Sequence, residues 1–148
     1  MSRVFVSAIG YLRERWQQAF ADASIVSTVA EIQLPHGEVL ASLWLDMSVI
    51  SQELRLESIA AALALRSPVI VMAGVPKEAE ALSALRAGVR GYCHVMAAPE
   101  QLRDVALVVE NGGLWMPPSL MQRFLVVSTR TTPAAAVPLA LQLNDLTV

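Results

Sequence analysis

The chain has 148 residues, of which 55% are hydrophobic and 16% charged, and its formal net charge is −2. This length suits one domain with a buried core followed by a tail, and the slightly acidic balance argues against direct binding of nucleic acid. The single cysteine, Cys93, excludes an internal disulfide and fits a reducing cytoplasm. The best candidate for a membrane span, residues 59–75, is interrupted at residues 66–68 and is too short.

The first half of the chain alternates strand-length apolar runs with helical spacing. Val4 to Val6 predicts a buried strand, and Leu12, Trp16 and Phe20 recur at the spacing of an amphipathic helix that turns Arg13, Arg15 and Gln17 outward. Two more strands are predicted over residues 25–29 and 39–45, the second ending at Asp46. Residues 31–37 contain Pro35 and Gly37 and lack a helical period, which predicts a loop or hairpin.

The second half continues the alternation of helices and strands. Leu54, Ile59 and Leu63 mark a helix that stops before Pro68, and residues 69–72 form a continuous apolar strand. A helix is predicted over residues 77–87 with Gly88 at its end, then a strand over residues 91–95. The next helix starts at Pro99 and stops at Gly112. A last helix is predicted from Pro117 to Val127.

This alternation is typical of βα units and a parallel sheet. It predicts a flavodoxin-like, doubly wound α/β fold with five parallel strands in the order 2-1-3-4-5 and a second helix that is shortened or absent. Residues 1–127 are expected to form this domain. The Thr, Ala and Pro-rich residues that follow predict a flexible linker within 128–148.

Two segments carry a resemblance to a known family. They are residues 85–102, LRAGVRGYCHVMAAPEQL, and residues 112–118, GGLWMPP. They resemble the last third of a receiver domain from response regulators of the NarL/FixJ (LuxR-type) class, whose fold is CheY-like. The resemblance covers about residues 3 to 127 and is strongest from Pro68 to Pro118.

The resemblance implies that Asp46 is equivalent to the aspartate that such domains phosphorylate, and that the other site positions are degenerate. Ser7 and Ala8 stand where the family has an acidic pair, Ala73 where it has a hydroxyl residue, and Val95 where it has a lysine. Phosphoryl transfer to a carboxylate needs a Mg²⁺ ion held by anionic oxygens. No Mg²⁺ or other cofactor is therefore expected. Asp46 either remains phosphorylatable or is a structural carboxylate that caps a turn or pairs with a neighbour.

Other residues have weaker functional interpretations. Tyr92 is equivalent to the family's switch aromatic and is expected to be fixed, because Ala73 replaces the hydroxyl beside it. His36 and His94 have no second ligand at a credible spacing and are expected to be ordinary histidines. A surplus of apolar residues from Lys77 to Val109 predicts a self-association surface, formed by Ala81, Leu85, Val105 and Val109.

These observations predict a non-enzymatic pseudo-receiver from a bacterial two-component-type transcriptional regulator, acting through homodimerisation or through a bound partner or ligand. DNA would be bound only by a helix-turn-helix domain beginning near Leu143, whose neighbourhood resembles the start of LuxR-type DNA-binding domains. The alternatives are a receiver phosphorylated on Asp46 by a sensor kinase, and a stand-alone signalling adaptor. An α/β enzyme is disfavoured because no Gly-rich phosphate loop follows the first strand.

Overall fold

The fold is given by a computed structural model that describes residues 2–35 and 37–123. This part contains five strands, four complete α-helices and a further helical segment over residues 118–123. The strands are β1 Arg3–Val6, β2 Ser24–Val26, β3 Ser42–Asp46, β4 Val69–Ala73 and β5 Gly91–His94. The helices are α1 Glu14–Ala19, α2 Gln52–Leu63, α3 Glu78–Ala87 and α4 Pro99–Glu110.

The five strands form one parallel sheet in the order β2-β1-β3-β4-β5, which confirms the predicted flavodoxin-like topology. Its central strands β3 and β4 are buried along their whole length, as their continuous apolar runs predict. In the register, Val6 lies opposite Leu45 and Asp46 opposite Met72. The carboxyl ends of β1, β3, β4 and β5 are therefore neighbours at one edge of the sheet.

The predicted loss of the second helix is also confirmed. In the described part of the connection between β2 and β3, the only helical element is a 3₁₀ turn, Val29–Glu31. The apolar side chains of Val29, Ile32 and Leu34 pack against the core from this connection. The loop thus covers the part of the sheet that a helix covers in a regular βαβ unit.

The two faces of the sheet bury separate cores because successive side chains in a strand point to opposite faces. One core lies under α1 and α4 and contains a row of stacked aromatic rings. The Phe5 ring centroid is 4.6 Å from that of Trp16 and 5.2 Å from that of Trp44. The other core lies under α2 and α3 and includes Leu43, Val71 and Tyr92.

The prediction that Ala81, Leu85, Val105 and Val109 form an exposed surface is wrong. Helices α3 and α4 pack on opposite faces of the sheet, so their residues do not share one surface. Ala81 is 2% exposed, Val105 0% and Val109 1%, and Leu85 is partly buried against the core. The apolar residues of α3 and α4 instead fill two internal cores. The crossover connections of the parallel sheet place α3 on one face and α4 on the other.

After α4 the chain crosses the outer edge of β5. Trp115 accepts a hydrogen bond from the Tyr92 amide and donates its own amide to the Arg90 carbonyl, both at 3.0 Å. Met116 is buried, and residues 118–123 are helical over the face that carries α3. The rest of the predicted last helix, the predicted linker and the possible start of a DNA-binding domain lie outside the described residues, as does His36.

Among the helices described, none combines the length and apolar character needed to cross a membrane.

Gly91 provides a test of the packing between β4, β5 and α4. A Cβ added there would lie 2.8 Å from Cγ1 of Ile70 and 3.2 Å from Cγ2 of Val109. We expect Gly91→Ala to lower the free energy of unfolding by about 1–3 kcal/mol through overpacking. Urea denaturation measures this loss. In an Ile70→Ala background the same substitution should cost clearly less, and an equal cost in both backgrounds would contradict the packing described.

Candidate functional site

The carboxyl edge of the sheet brings together most of the residues predicted to belong to a degenerate phosphorylation site. Ser7, Asp46, Ala73 and Val95 follow or end neighbouring strands, and all four are buried. The Val95 amide donates to the Ala73 carbonyl at 2.9 Å, so these two positions are directly adjacent. Ala8, the fifth position, is exposed.

The Asp46 carboxylate is completely buried and is the centre of this site. Its Oδ1 accepts hydrogen bonds from the backbone amide of Ser48 at 2.9 Å and from the Ser48 hydroxyl. Its Oδ2 accepts from the Ser7 hydroxyl at 2.8 Å and from Arg13 Nη2 at 3.3 Å. Asp46 thereby caps the 3₁₀ turn Met47–Val49 and pairs with a neighbouring cation. Both structural roles left open by the sequence are present together.

Arg13 is the functional residue that the sequence interpretation missed. Helical periodicity predicts that its side chain points outward, but α1 begins only at Glu14 and Arg13 is its N-cap residue. From there its guanidinium turns back to the sheet edge and lies 5.5 Å from the Trp16 ring centroid. The sequence did contain one indication that a cation lies here, namely Asp46. A carboxylate that ends a buried strand needs a hydrogen-bond donor or a cation nearby.

The side chains that follow β1 set the electrostatics of this edge. Ser7 donates a hydrogen bond to Asp46 but adds no negative charge, and Arg13 places a positive charge beside the carboxylate. A divalent cation binds hard anionic oxygens, and the guanidinium repels it. Within the described residues, no group of three His, Cys, Asp or Glu side chains is arranged to hold a metal ion.

Tyr92 lies inside the fold and is hydrogen-bonded on both sides of its hydroxyl. The hydroxyl donates to Glu80 Oε1 at 2.8 Å and accepts from the Lys77 amide at 2.9 Å. Glu80 in turn pairs with Arg55, with 2.7 Å between Oε2 and Nη1. Burial raises the pKa of the Tyr92 phenol above its usual range. The expectation that Tyr92 is fixed stays a prediction, which these contacts support.

A small cleft of about 200 Å³ opens beside this network, between the loops that follow β3 and β4. Its polar side chains are those of Ser48, Arg55, Lys77 and Glu80. Asp46 does not line it, because its carboxylate is covered by Ser48. The cleft is therefore separate from the Asp46 carboxylate although both lie at the same sheet edge.

Cys93 and His94 contribute nothing to this site. Cys93 is buried in the core under α1 and α4, and desolvation raises the pKa of its thiol to about 12. His94 is exposed, and its Nδ1 accepts a hydrogen bond from the Met96 amide at 2.9 Å.

Comparison with models of known protein families gives no match for this chain, and comparison with curated proteins finds no similar sequence.

The pairing of Arg13 with Asp46 predicts an energetic coupling between them. We expect Arg13→Gln to lower the free energy of unfolding by about 1–3 kcal/mol, because it leaves a buried carboxylate without its cation. Arg90→Gln, whose exposed side chain makes no hydrogen bond or ion pair with the described residues, should change it by less than about 0.5 kcal/mol. Urea denaturation measures both. In an Asp46→Asn background the effect of Arg13→Gln should shrink, and an undiminished effect would rule out the coupling.

The raised pKa values of Tyr92 and Cys93 predict that the folded state is less stable at high pH. Since the folded state favours the neutral Tyr92 phenol and Cys93 thiol, their contribution to stability is complete below the unfolded-state pKa values. It is lost progressively as the pH rises from those values to the raised folded-state values. The free energy of unfolding should therefore fall from about pH 9 upward. Denaturation at several pH values should show a shallower fall in a Tyr92→Phe/Cys93→Ala double variant. If the free energy of unfolding falls equally steeply with pH in the variant and in the original chain, Tyr92 and Cys93 are not the cause of the loss.

Proposed function

We propose that this chain is a receiver-like regulatory domain of a bacterial two-component-type transcriptional regulator, and that it works without phosphorylation of Asp46. The fold class and the resemblance of residues 85–102 and 112–118 to LuxR-type receivers support the first part. The observation that carries the second part is the Arg13–Asp46 ion pair, reinforced by the Ser7 hydroxyl.

The physical argument concerns the charge that a phosphoryl group would bring. Its anionic oxygens need a divalent cation, a hydroxyl donor and an ammonium group to be stabilised. At this edge they would meet the methyl groups of Ala73 and Val95 and the hydroxyl of Ser7. The cation already present is Arg13, which neutralises Asp46 as it stands. The negative charge of unmodified Asp46 is thus already compensated by the positive charge of Arg13.

In this proposal the domain is non-enzymatic and cytoplasmic, and it acts through contacts. It self-associates as a homodimer or binds a protein or small-molecule partner, through a surface other than the four residues first predicted. In this proposal DNA is bound by a helix-turn-helix domain of the regulator and not by the described residues. A stand-alone adaptor is the same domain used without DNA binding.

One observation favours a second candidate, a receiver that a sensor kinase phosphorylates on Asp46. Asp46 ends β3 at the carboxyl edge, which is where open α/β sheets bind their ligands. The two candidates differ in whether the carboxylate accepts a phosphoryl group.

Acetyl phosphate with Mg²⁺ separates the two candidates. We expect the intact mass of the chain to stay unchanged, because Asp46 is covered by Ser48 and paired with Arg13. A receiver domain with a complete acidic pair, hydroxyl and lysine is the positive control and should gain one phosphoryl group. Beryllofluoride binding, followed by fluorine NMR, provides a second readout. A mass gain that is lost in Asp46→Asn would establish phosphorylation and overturn the proposal.

A further inference from the structure

Helix α2 exposes apolar side chains on the face that is turned away from the sheet. Leu54 is 51% exposed and Leu56 is 66% exposed. Further along the helix, every exposed residue from 58 to 65 is an alanine, namely Ala60, Ala61 and Ala64. A surface helix normally turns polar side chains to the solvent, so an apolar outer face of this kind indicates an interaction surface.

The face has a bulky half and a flat half, and this makes it complementary to itself. The leucines lie in the first half of α2 and the alanines at its end and just beyond it. When two copies of the helix pack antiparallel, the leucines of each copy meet the alanines of the other. With a two-fold axis at Ala60, Leu56 lies opposite Ala64 of the second copy, because each is four residues from the axis. Small side chains at the contact let two helix axes approach to about 8 Å.

The charges on this face are also complementary in an antiparallel pair. Glu53 and Arg66 are exposed, and neither side chain forms an ion pair with another described residue. Along the helix axis, Glu53 lies about 10 Å before Ala60 and Arg66 about 9 Å after it. They are therefore too far apart to pair within one chain. In the antiparallel dimer, Glu53 of one copy is level with Arg66 of the second, and the symmetry repeats this contact at the other end.

The backbone of Arg66 gives independent support for a contact at this position. Its φ is +63°, and among the described residues it is the one non-glycine residue with a positive φ. The left-handed conformation is strained for a residue with a Cβ, and glycine would adopt it without that cost. Yet the Arg66 side chain makes no hydrogen bond or ion pair within the described part of the chain. An ion pair with a second copy gives this arginine a role.

We propose that the outer face of α2 is the interface of a homodimer, in which two copies of this chain pack antiparallel about a two-fold axis at Ala60. This inference rests on the proposed function and names the surface through which the domain self-associates. A helix of 12 residues is about 18 Å long, and its outer face is smaller than the roughly 800 Å² per partner of a stable interface. Monomer and dimer are therefore in exchange, and self-association rises with concentration.

Sedimentation equilibrium of the whole chain at increasing concentration tests the interface. The dissociation constant should rise at least about tenfold in Leu56→Glu, because a charge is then buried against the alanines of the second copy. Leu107→Glu is the matched control, since Leu107 is 64% exposed on α4, on the other face of the sheet. Its dissociation constant should stay within about twofold of the original. Circular dichroism checks that both variants fold. A monomer at every concentration, or equal effects of the two substitutions, would overturn the proposal.

A second experiment locates the two-fold axis. In Ala60→Cys the introduced thiols of the two copies face each other, so mild oxidation should link them by a disulfide much faster than in Asp104→Cys, whose exposed position is on α4. The original chain has one buried cysteine and should not be linked. Equal rates in the two variants would contradict this geometry. So would a monomer whose introduced thiol at residue 60 resists maleimide, because another part of the same chain would then cover α2.

Charge reversal tests the ion pair between the copies. Glu53→Arg and Arg66→Glu should each weaken the dimer severalfold, because each places like charges together. An equimolar mixture of the two variants should dimerise as tightly as the original chain, since both contacts then regain opposite charges. A mixture as weak as its components would refute the pairing.

Arg66→Gly separates the interface from the local strain. At a concentration where the chain is monomeric, its midpoint of thermal unfolding should rise, while the dimer should weaken. An unchanged dimer would show that Arg66 serves only the turn and would overturn the proposal.

The outcomes also distinguish this inference from the proposed function. A dimer that no substitution on α2 weakens would overturn the α2 interface and leave the receiver-like function standing. Labelling of Asp46 by acetyl phosphate would overturn the proposed function and leave the α2 interface standing.

Discussion

The buried charge of Asp46 imposes the strongest constraint on the carboxyl edge of this sheet. A carboxylate without solvent contact must find its donors and its counter-charge in the surrounding protein, or it destabilises the fold. Here the donors come from Ser7 after β1 and Ser48 after β3, and the charge comes from Arg13 at the start of α1. The loop after β1 and the turn after β3 are thus held in place by one acidic side chain.

This constraint arises from the parallel sheet. Parallel pairing of β1, β3, β4 and β5 brings their carboxyl ends together, so the residues that follow them form one site although they are far apart in sequence. The same topology sends successive helices to one face or the other. It separates α3 from α4, and it is the reason why residues with similar apolar spacing belong to two different cores.

The functional meaning of the site follows from its charge. In a site built for phosphoryl transfer, carboxylates outnumber cations until a metal ion arrives. In this chain one carboxylate faces one guanidinium, with hydroxyl groups completing its hydrogen bonds. The charges and hydrogen bonds of Asp46 are therefore satisfied without a metal ion or a phosphoryl group.

The sequence by itself determined the fold class, because continuous apolar runs such as residues 69–72 are buried on both faces and alternate with helices. It also determined that the described part of the connection between β2 and β3 contains no α-helix, that Asp46 ends β3 and that Ser7, Ala73 and Val95 beside it are uncharged. Only the tertiary structure decided which groups meet. Periodicity assigns a helical residue to a face, but Arg13 caps its helix and turns toward the sheet, while Ala81 and Val105 are buried on opposite faces. Such contacts join residues from different elements, and their geometry depends on how the crossovers pack against the sheet.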